Sequence, residues 1–293
     1  MPRQTIFLSS TRLLAQGTSW IQRKIPSSGE SLPVIGIGTA RRYEAVTTEA
    51  ERAPLREVLR QFKEMGGRVI DTAPSYGTAE AVVGDLVAEL KIREPLFIAT
   101  KLGAQGRDAG IEQLERSFKR LRMPTIDLVA VHNLQDTQTQ LRTLREWKQA
   151  GRIRYVGVTT SFERQHPAFE QTMRAEPLDF IQVDYALDNR KADQRILPLA
   201  ADRGIGVMIN LPFGRGRLFT AVQGRSLPPW ADEFDCSSWA QFFLKYIVSH
   251  PAVTCALPGT AKVAYLVDNL GAARGRLPDA AMRVRMERLI DSV

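Results

Sequence analysis

The stretch GGRVIDTAPSYGTAE, residues 66–80, decides how this chain is read. Its two glycines close a segment in which Leu55, Val58, Leu59, Phe62 and Met65 recur at helical spacing, with Pro54 marking the expected start. The run Arg68–Asp71 that follows is short and apolar, as a strand covered on both faces would be. A loop runs through Ala73, Pro74 and Ser75. Thr78 then stands where it can cap a helix whose stripe is Val82, Val83, Leu86, Val87 and Leu90. The unit is strand, loop, helix. It leaves Asp71 at the C-terminal end of a strand and Tyr76 in the loop behind it.

The same unit recurs on both sides. Apolar runs rich in Val and Ile occur at Pro33–Gly38, Leu96–Lys101, Ile126–His132, Ile153–Thr159, Phe180–Tyr185, Gly206–Leu211 and Val253–Leu257, which with Arg68–Asp71 makes eight. Helical patterns separate them, with stripes at Ile111, Leu114, Phe118 and Leu121 and at Leu141, Leu144 and Trp147 or Lys148. Later helices are expected over Glu163–Arg174, Arg190–Arg203, Ser237–Ser249 and Lys262–Ala273. Eight strands, each followed by a helix, predict an α/β fold, a (β/α)8 TIM barrel; an open doubly wound sheet is the alternative. IQRKIPSSGESLP, before the first strand, reads as an N-terminal β-hairpin turning at Ser27-Ser28-Gly29, placed to plug the barrel floor. Arg276–Val293 reads as an extra C-terminal helix. Residues 1–20 form an N-terminal extension and residues 21–293 a single barrel domain.

Composition narrows the partners. The chain has 293 residues, 44% of them hydrophobic, which suffices for a large core. No run approaches the roughly 18 apolar residues of a membrane span. The formal charge is +8, but the basic residues are scattered over helix faces without interleaved aromatics, which argues against nucleic acid. The excess still suits an anionic ligand. The two cysteines, Cys236 and Cys255, have neither metal-ligand nor disulfide spacing. Together with an N-terminus lacking a continuous apolar core, this points to the cytoplasm, with an exported form left open. No metal site is read.

In a barrel, side chains at the C-terminal strand ends share one mouth. Those ends carry Asp71, Lys101 and His132, with Tyr76 close by. Each alone has an ordinary explanation, such as a turn cap, a surface lysine or a core histidine. Together they make a proton-donating unit. A phenol ionises near 10; a neighbouring ammonium is expected to lower that value, a carboxylate holds the ammonium, and an imidazole orients a carbonyl oxygen. Tyr76 would protonate an alkoxide as hydride reaches its carbon.

These motifs resemble the aldo-keto reductase family. VIDTAPSYG, FIATKL and DLVAVHN are similar to its three strand-end motifs in order and spacing, and IPSSGESLPVIGIGT resembles its hairpin and first strand. GRIRYVGVTT and LPGTAKVAYLVDNLGA resemble its fifth strand and its cofactor-binding close. The resemblance covers about residues 21–275. It implies NADP(H), with NAD(H) as the alternative, bound across the barrel mouth without a Rossmann domain. It also implies reversible reduction of aldehydes and ketones, with Tyr76 as the acid.

The resemblance also implies cofactor-binding positions. Thr159 stands where the family has serine and Thr160 where it has the asparagine that holds the carboxamide. Gln182 matches its glutamine, and Asn210 replaces the tyrosine that stacks on the nicotinamide ring. Pro212, Gly214 and Arg215 lie in PFGRGRL, which resembles the loop over the pyrophosphate. Gly259 and Thr260 form a strand-to-helix turn suited to phosphate, Lys262 is the candidate for the 2′-phosphate, and Asp268 and Asn269 match the adenine contacts. Arg41, Arg42 and Tyr43 after the first strand, and Trp230, Phe234 and Trp239 further on, are candidates for lining the pocket, with Trp239 more readily a core residue.

The expected function is therefore an NADP(H)-dependent oxidoreductase acting on a small carbonyl or alcohol, as a monomer or weak homo-oligomer, with no nucleic acid or membrane partner. A nicotinamide-binding sensor barrel with little turnover is a second possibility, suggested by Thr160 and Asn210. A lyase or isomerase using Lys101 as a Schiff base is a third.

Overall fold

The computed structural model describes residues 20–293. Most of the expected N-terminal extension, residues 1–19, lies outside the described residues. The chain opens with an antiparallel hairpin of β1 (Gln22–Lys24) and β2 (Ser31–Pro33). Eight parallel strands follow in sequence order: β3 (Ile37–Gly38), β4 (Val69–Asp71), β5 (Phe97–Leu102), β6 (Ile126–His132), β7 (Ile153–Thr160), β8 (Phe180–Asp184), β9 (Gly206–Asn210) and β10 (Cys255–Ala256). Parallel bridges Ile35–Ala256 and Gly38–Gly259 join the last strand to the first. The sheet has no free edge, so the barrel prevails over the open sheet.

Eight helices follow the eight strands, as the repeating unit requires. They are α1 (Glu49–Glu64), α2 (Ala79–Leu90), α3 (Arg107–Leu121), α4 (Thr137–Gln149), α5 (His166–Ala175), α6 (Lys191–Asp202), α8 (Trp239–Val248) and α9 (Val263–Gly271). Between β9 and α8 the chain inserts a short helix, α7 (Arg217–Ala221), and two 3-10 turns. The C-terminal helix α10 spans Ala280–Asp291, shorter than expected because Asp279 caps it by accepting from the Met282 amide. Among the described residues no helix is long and apolar enough to cross a membrane.

Two local expectations are corrected. Helix α1 begins at Glu49, not beside Pro54, because Thr48 and Glu51 form a capping box: the Thr48 Oγ1 accepts from the Glu51 amide at 3.3 Å, and the Glu51 carboxylate accepts from the Thr48 amide at 2.9 Å. Pro54 therefore lies inside the helix. Thr78 does not cap α2. Its hydroxyl donates to the Tyr43 carbonyl at 2.8 Å and accepts from the Val46 amide at 3.1 Å, tying the loop after β4 to the loop after β3.

The barrel interior is closed at its floor. Ile25 and Leu32 of the hairpin pack with Val69, Phe97, Leu128, Tyr155, Phe180 and Met208, inward residues of the successive strands β4 to β9. Tyr155 anchors the hairpin turn: its hydroxyl donates to the Glu30 carboxylate at 3.0 Å and pairs with the Ser28 hydroxyl at 2.8 Å. With that end filled, a ligand has access only at the C-terminal mouth.

Candidate active site

The mouth holds a cavity of about 430 Å³ lined by Asp71, Tyr76, Lys101 and His132 together with residues from the loops after β3, β7 and β9. Lys101 is 2% exposed and Asp71 5%. The Lys101 ammonium lies 2.8 Å from both Asp71 carboxylate oxygens and 2.8 Å from the Thr72 carbonyl, so each of its three protons has an acceptor. It also sits 5.1 Å from the centre of the Tyr76 ring. Asp71 ends β4, and its own carbonyl accepts from both the amide and the hydroxyl of Thr39 at 3.0 Å, which fixes the strand end.

The loop geometry explains why a glycine follows Tyr76. Gly77 has φ +50°, and a Cβ there would stand 2.1 Å from the Glu44 carbonyl. The Thr78 amide donates to that same carbonyl at 3.0 Å. Two loops thus cross in backbone contact, and only glycine fits at the crossing. That contact turns the Tyr76 ring toward the mouth, where it meets the His132 ring edge-on with centroids 6.3 Å apart.

Electrostatics departs from expectation at Tyr76. Burial raises its pKa above the ordinary value of 10; the Lys101 charge pulls it down, the Asp71 charge pushes it up, and burial prevails. The phenol therefore holds its proton at neutral pH. Burial disfavours the Lys101 charge, yet Asp71 more than compensates and the ammonium is held above its usual range. Burial, and then the Lys101 charge, lower the His132 imidazole to about 4, so it is neutral near pH 7.

The remaining expected residues divide. Thr159, Asn210, Pro212, Arg215 and Gly259 line the cavity. His132, Thr159 and Gln182 are register partners on β6, β7 and β8, which places the buried Gln182 in the same row. Gly214 lines a smaller adjoining hollow, and its φ of +56° places it against the Asp188 carboxylate. Thr160 is absent from the lining: it is fully buried, its hydroxyl donating to Gln165 Oε1 at 2.5 Å and accepting from the Phe162 amide at 3.1 Å. Strand alternation explains this, since Thr159 faces in and its neighbour cannot.

The carboxy-terminal positions are mostly engaged within the protein. Asn269 is buried and donates to Thr260 Oγ1 at 3.2 Å. Asp268 accepts from Ser238 at 2.7 Å and from Gln241 at 2.9 Å. Lys262 is exposed, with its ammonium 5.5 Å from the Tyr265 ring. Arg41 and Arg42 do line the mouth, whereas Tyr43 is fully buried in the core. Among the described residues no carboxylate lies within ion-pair distance of Arg41, Arg42, Arg215 or Lys262.

The aromatic wall comes from residues not picked out in the sequence, Phe213 and Phe219. Trp230, Phe234 and Trp239 instead pack around Phe242 and Phe243, with Trp239 stacked on Phe243 at 5.8 Å. Ser161 also lines the cavity without having been singled out. The α7 insertion carries Phe219, and no periodicity in so short a helix signals it.

Comparison with known proteins agrees with this architecture. The aldo-keto reductase YhdN of Bacillus subtilis (strain 168) is 29% identical over 209 residues, 66% of this chain and 62% of that protein. The aldo-keto reductase str7 of Strobilurus tenacellus is 25% identical over 289 residues, 85% of this chain and 84% of that one. Among solved structures, an aldo-keto reductase of Bacillus halodurans in its holo form superposes with a TM-score of 0.77 at 20% identity, covering 92% of this chain and 96% of that one. An aldo/keto reductase of Klebsiella pneumoniae in complex with NADP and acetate does so with a TM-score of 0.76 at 24% identity, covering 89% and 93%. At such identities the structural likeness speaks for the fold. Residues 34–287 match the Aldo/keto reductase family throughout, and the chain belongs to that family.

Proposed function

We propose that this protein is an NADP(H)-dependent carbonyl reductase in which Tyr76 is the general acid. The observation that carries the reading is the buried Lys101–Asp71 pair, at 2.8 Å, set beside a protonated phenol at the barrel mouth. The residues present suit a nicotinamide dinucleotide. Arg41, Arg42 and Arg215 bring to the cavity positive charge that no carboxylate among the described residues pairs, and Asn210 Oδ1 is a buried acceptor without a partner among them. The complex of the Klebsiella pneumoniae relative with NADP and acetate supports the same cofactor class. Arg215, Arg42 and the turn at Gly259 would hold phosphates, Lys262 the 2′-phosphate, and Thr159, Gln182 and Asn210 the nicotinamide end.

Bound reduced nicotinamide supplies the hydride. The chain supplies the proton: the Tyr76 hydroxyl donates to the carbonyl oxygen as negative charge grows there. Lys101 stabilises the phenolate left behind, and Asp71 keeps the ammonium charged and in place. Neutral His132 offers a ring N–H that orients the carbonyl oxygen. In the reverse direction, the phenolate takes the alcohol proton. Arg41 at the rim, not used for the phosphates, favours carbonyl compounds bearing an anionic group.

The purified protein with NADPH and an aromatic aldehyde should lose the absorbance of the reduced cofactor, and Tyr76→Phe should slow that loss at least about a hundredfold while still binding NADPH. Retention of more than about a tenth of the wild-type rate would assign the acid to another group. The engagement of Thr160 by Gln165 favours one alternative, a barrel that binds the cofactor without turnover. Its signature would be fluorescence quenching by NADPH with no consumption for any carbonyl tried.

A further inference from the structure

Asn210 ends β9 and lines the active-site cavity. Its side chain is half engaged. Nδ2 donates to the Thr160 carbonyl at 3.3 Å, while Oδ1 is buried and accepts nothing. The orientation is dictated by chemistry, because a flipped amide would set its oxygen against a carbonyl oxygen, two acceptors with no proton between them. A buried acceptor without a donor weakens the fold, so a ligand that supplies the donor recovers that free energy on binding.

The neighbouring side chains define what that ligand group is. Thr159, whose hydroxyl can donate, lines the same cavity from β7, and Gln182 stands next to it in register on β8. A hydroxyl donor on one strand and a fixed amide oxygen on another suit a group that offers a carbonyl and an N–H side by side, as a carboxamide does. Thr160 cannot share this role, since its hydroxyl is held by Gln165 and Phe162.

We infer that Asn210 Oδ1 accepts a hydrogen bond from the carboxamide N–H of bound nicotinamide, so that the amide contact absent at Thr160 is made from β9 instead. The inference rests on the NADP(H) reading above and adds to it a specific requirement. The protein selects a cofactor that carries an N–H at the nicotinamide end. Asn210 thereby sets the rotation of the carboxamide, and with it the face of the ring turned toward Tyr76.

The test compares two ligands by calorimetry: NADPH and its 3-acetylpyridine analogue, in which a methyl ketone replaces the carboxamide and no N–H remains. Wild type should bind NADPH about tenfold or more tightly than the analogue. Asn210→Leu, similar in volume but without an acceptor, should lose about that factor for NADPH and bind the analogue as wild type does. Equal wild-type affinity for the two ligands, a comparison that needs no variant, would overturn the inference while leaving the reductase reading intact. Equal weakening of both ligands by Asn210→Leu would overturn it as well. No binding of NADPH by wild type would overturn the cofactor reading, and this inference with it.

Discussion

The Lys101 ammonium is bound by both carboxylate oxygens of Asp71 at 2.8 Å, with neither side chain more than a tenth exposed. Such a pair is asymmetric in its energetics. Forming it in the interior is close to neutral, but removing one partner strands a buried charge.

Asp71→Asn should therefore destabilise the protein by about 3 kcal/mol or more, read from urea unfolding at pH 7. Asp71→Asn combined with Lys101→Met should recover part of that loss, because no buried charge remains. If the single variant unfolds at the wild-type midpoint, water reaches Lys101 and the pair is not what keeps it charged.

His132 gives a stability term with a defined pH window. The imidazole takes up its proton near 6.5 in the unfolded chain and near 4 in the folded one. Between those values the unfolded state binds more protons, so stability falls as pH drops from 6.5 and the loss is complete below 4; above 6.5 the term is absent. Lowering the pH from 7 to 5 should cost wild type about 1–2 kcal/mol more than His132→Gln, allowing for the partly solvated ring. Parallel urea curves for the two proteins at both pH values would show that the histidine titrates normally.

Gly77→Ala tests the loop crossing. The new Cβ would fall 2.1 Å from the Glu44 carbonyl at a backbone φ of +50°, in the position directly after Tyr76. A loss of about 2 kcal/mol or more in stability is expected, together with reduced turnover at a given NADPH occupancy. An alanine variant with wild-type melting temperature and rate would mean that the two loops separate freely.

Much of this was legible in the chain itself. The strands Ile126–His132 and Phe180–Asp184 are apolar runs that only a doubly covered sheet buries, and their ends carry the polar residues of the mouth. Asp71, Lys101 and His132 could be named because each closes or nearly closes such a run, and Tyr76 because it stands in the loop behind one. Legibility failed where a side chain's role depends on direction or partner. Thr78 has a capping residue's identity and position, yet bonds to Tyr43 and Val46 because the loop after β3 passes within reach. Thr160 and Asn269 match binding positions in sequence, yet their polar atoms face Gln165 and Thr260.

The amino-acid order alone determined the eight barrel strands and the helix after each, the closing of the barrel floor by the hairpin and the polar residues at the strand ends, since periodicity and turn chemistry are local properties that each segment carries. The folded arrangement decided which side chains share the mouth, that burial outweighs the Lys101 charge at Tyr76, and that Asn210 presents an oxygen with no donor. Desolvation and hydrogen-bond pairing depend on neighbours from distant segments, and those meet only when the last strand joins the first.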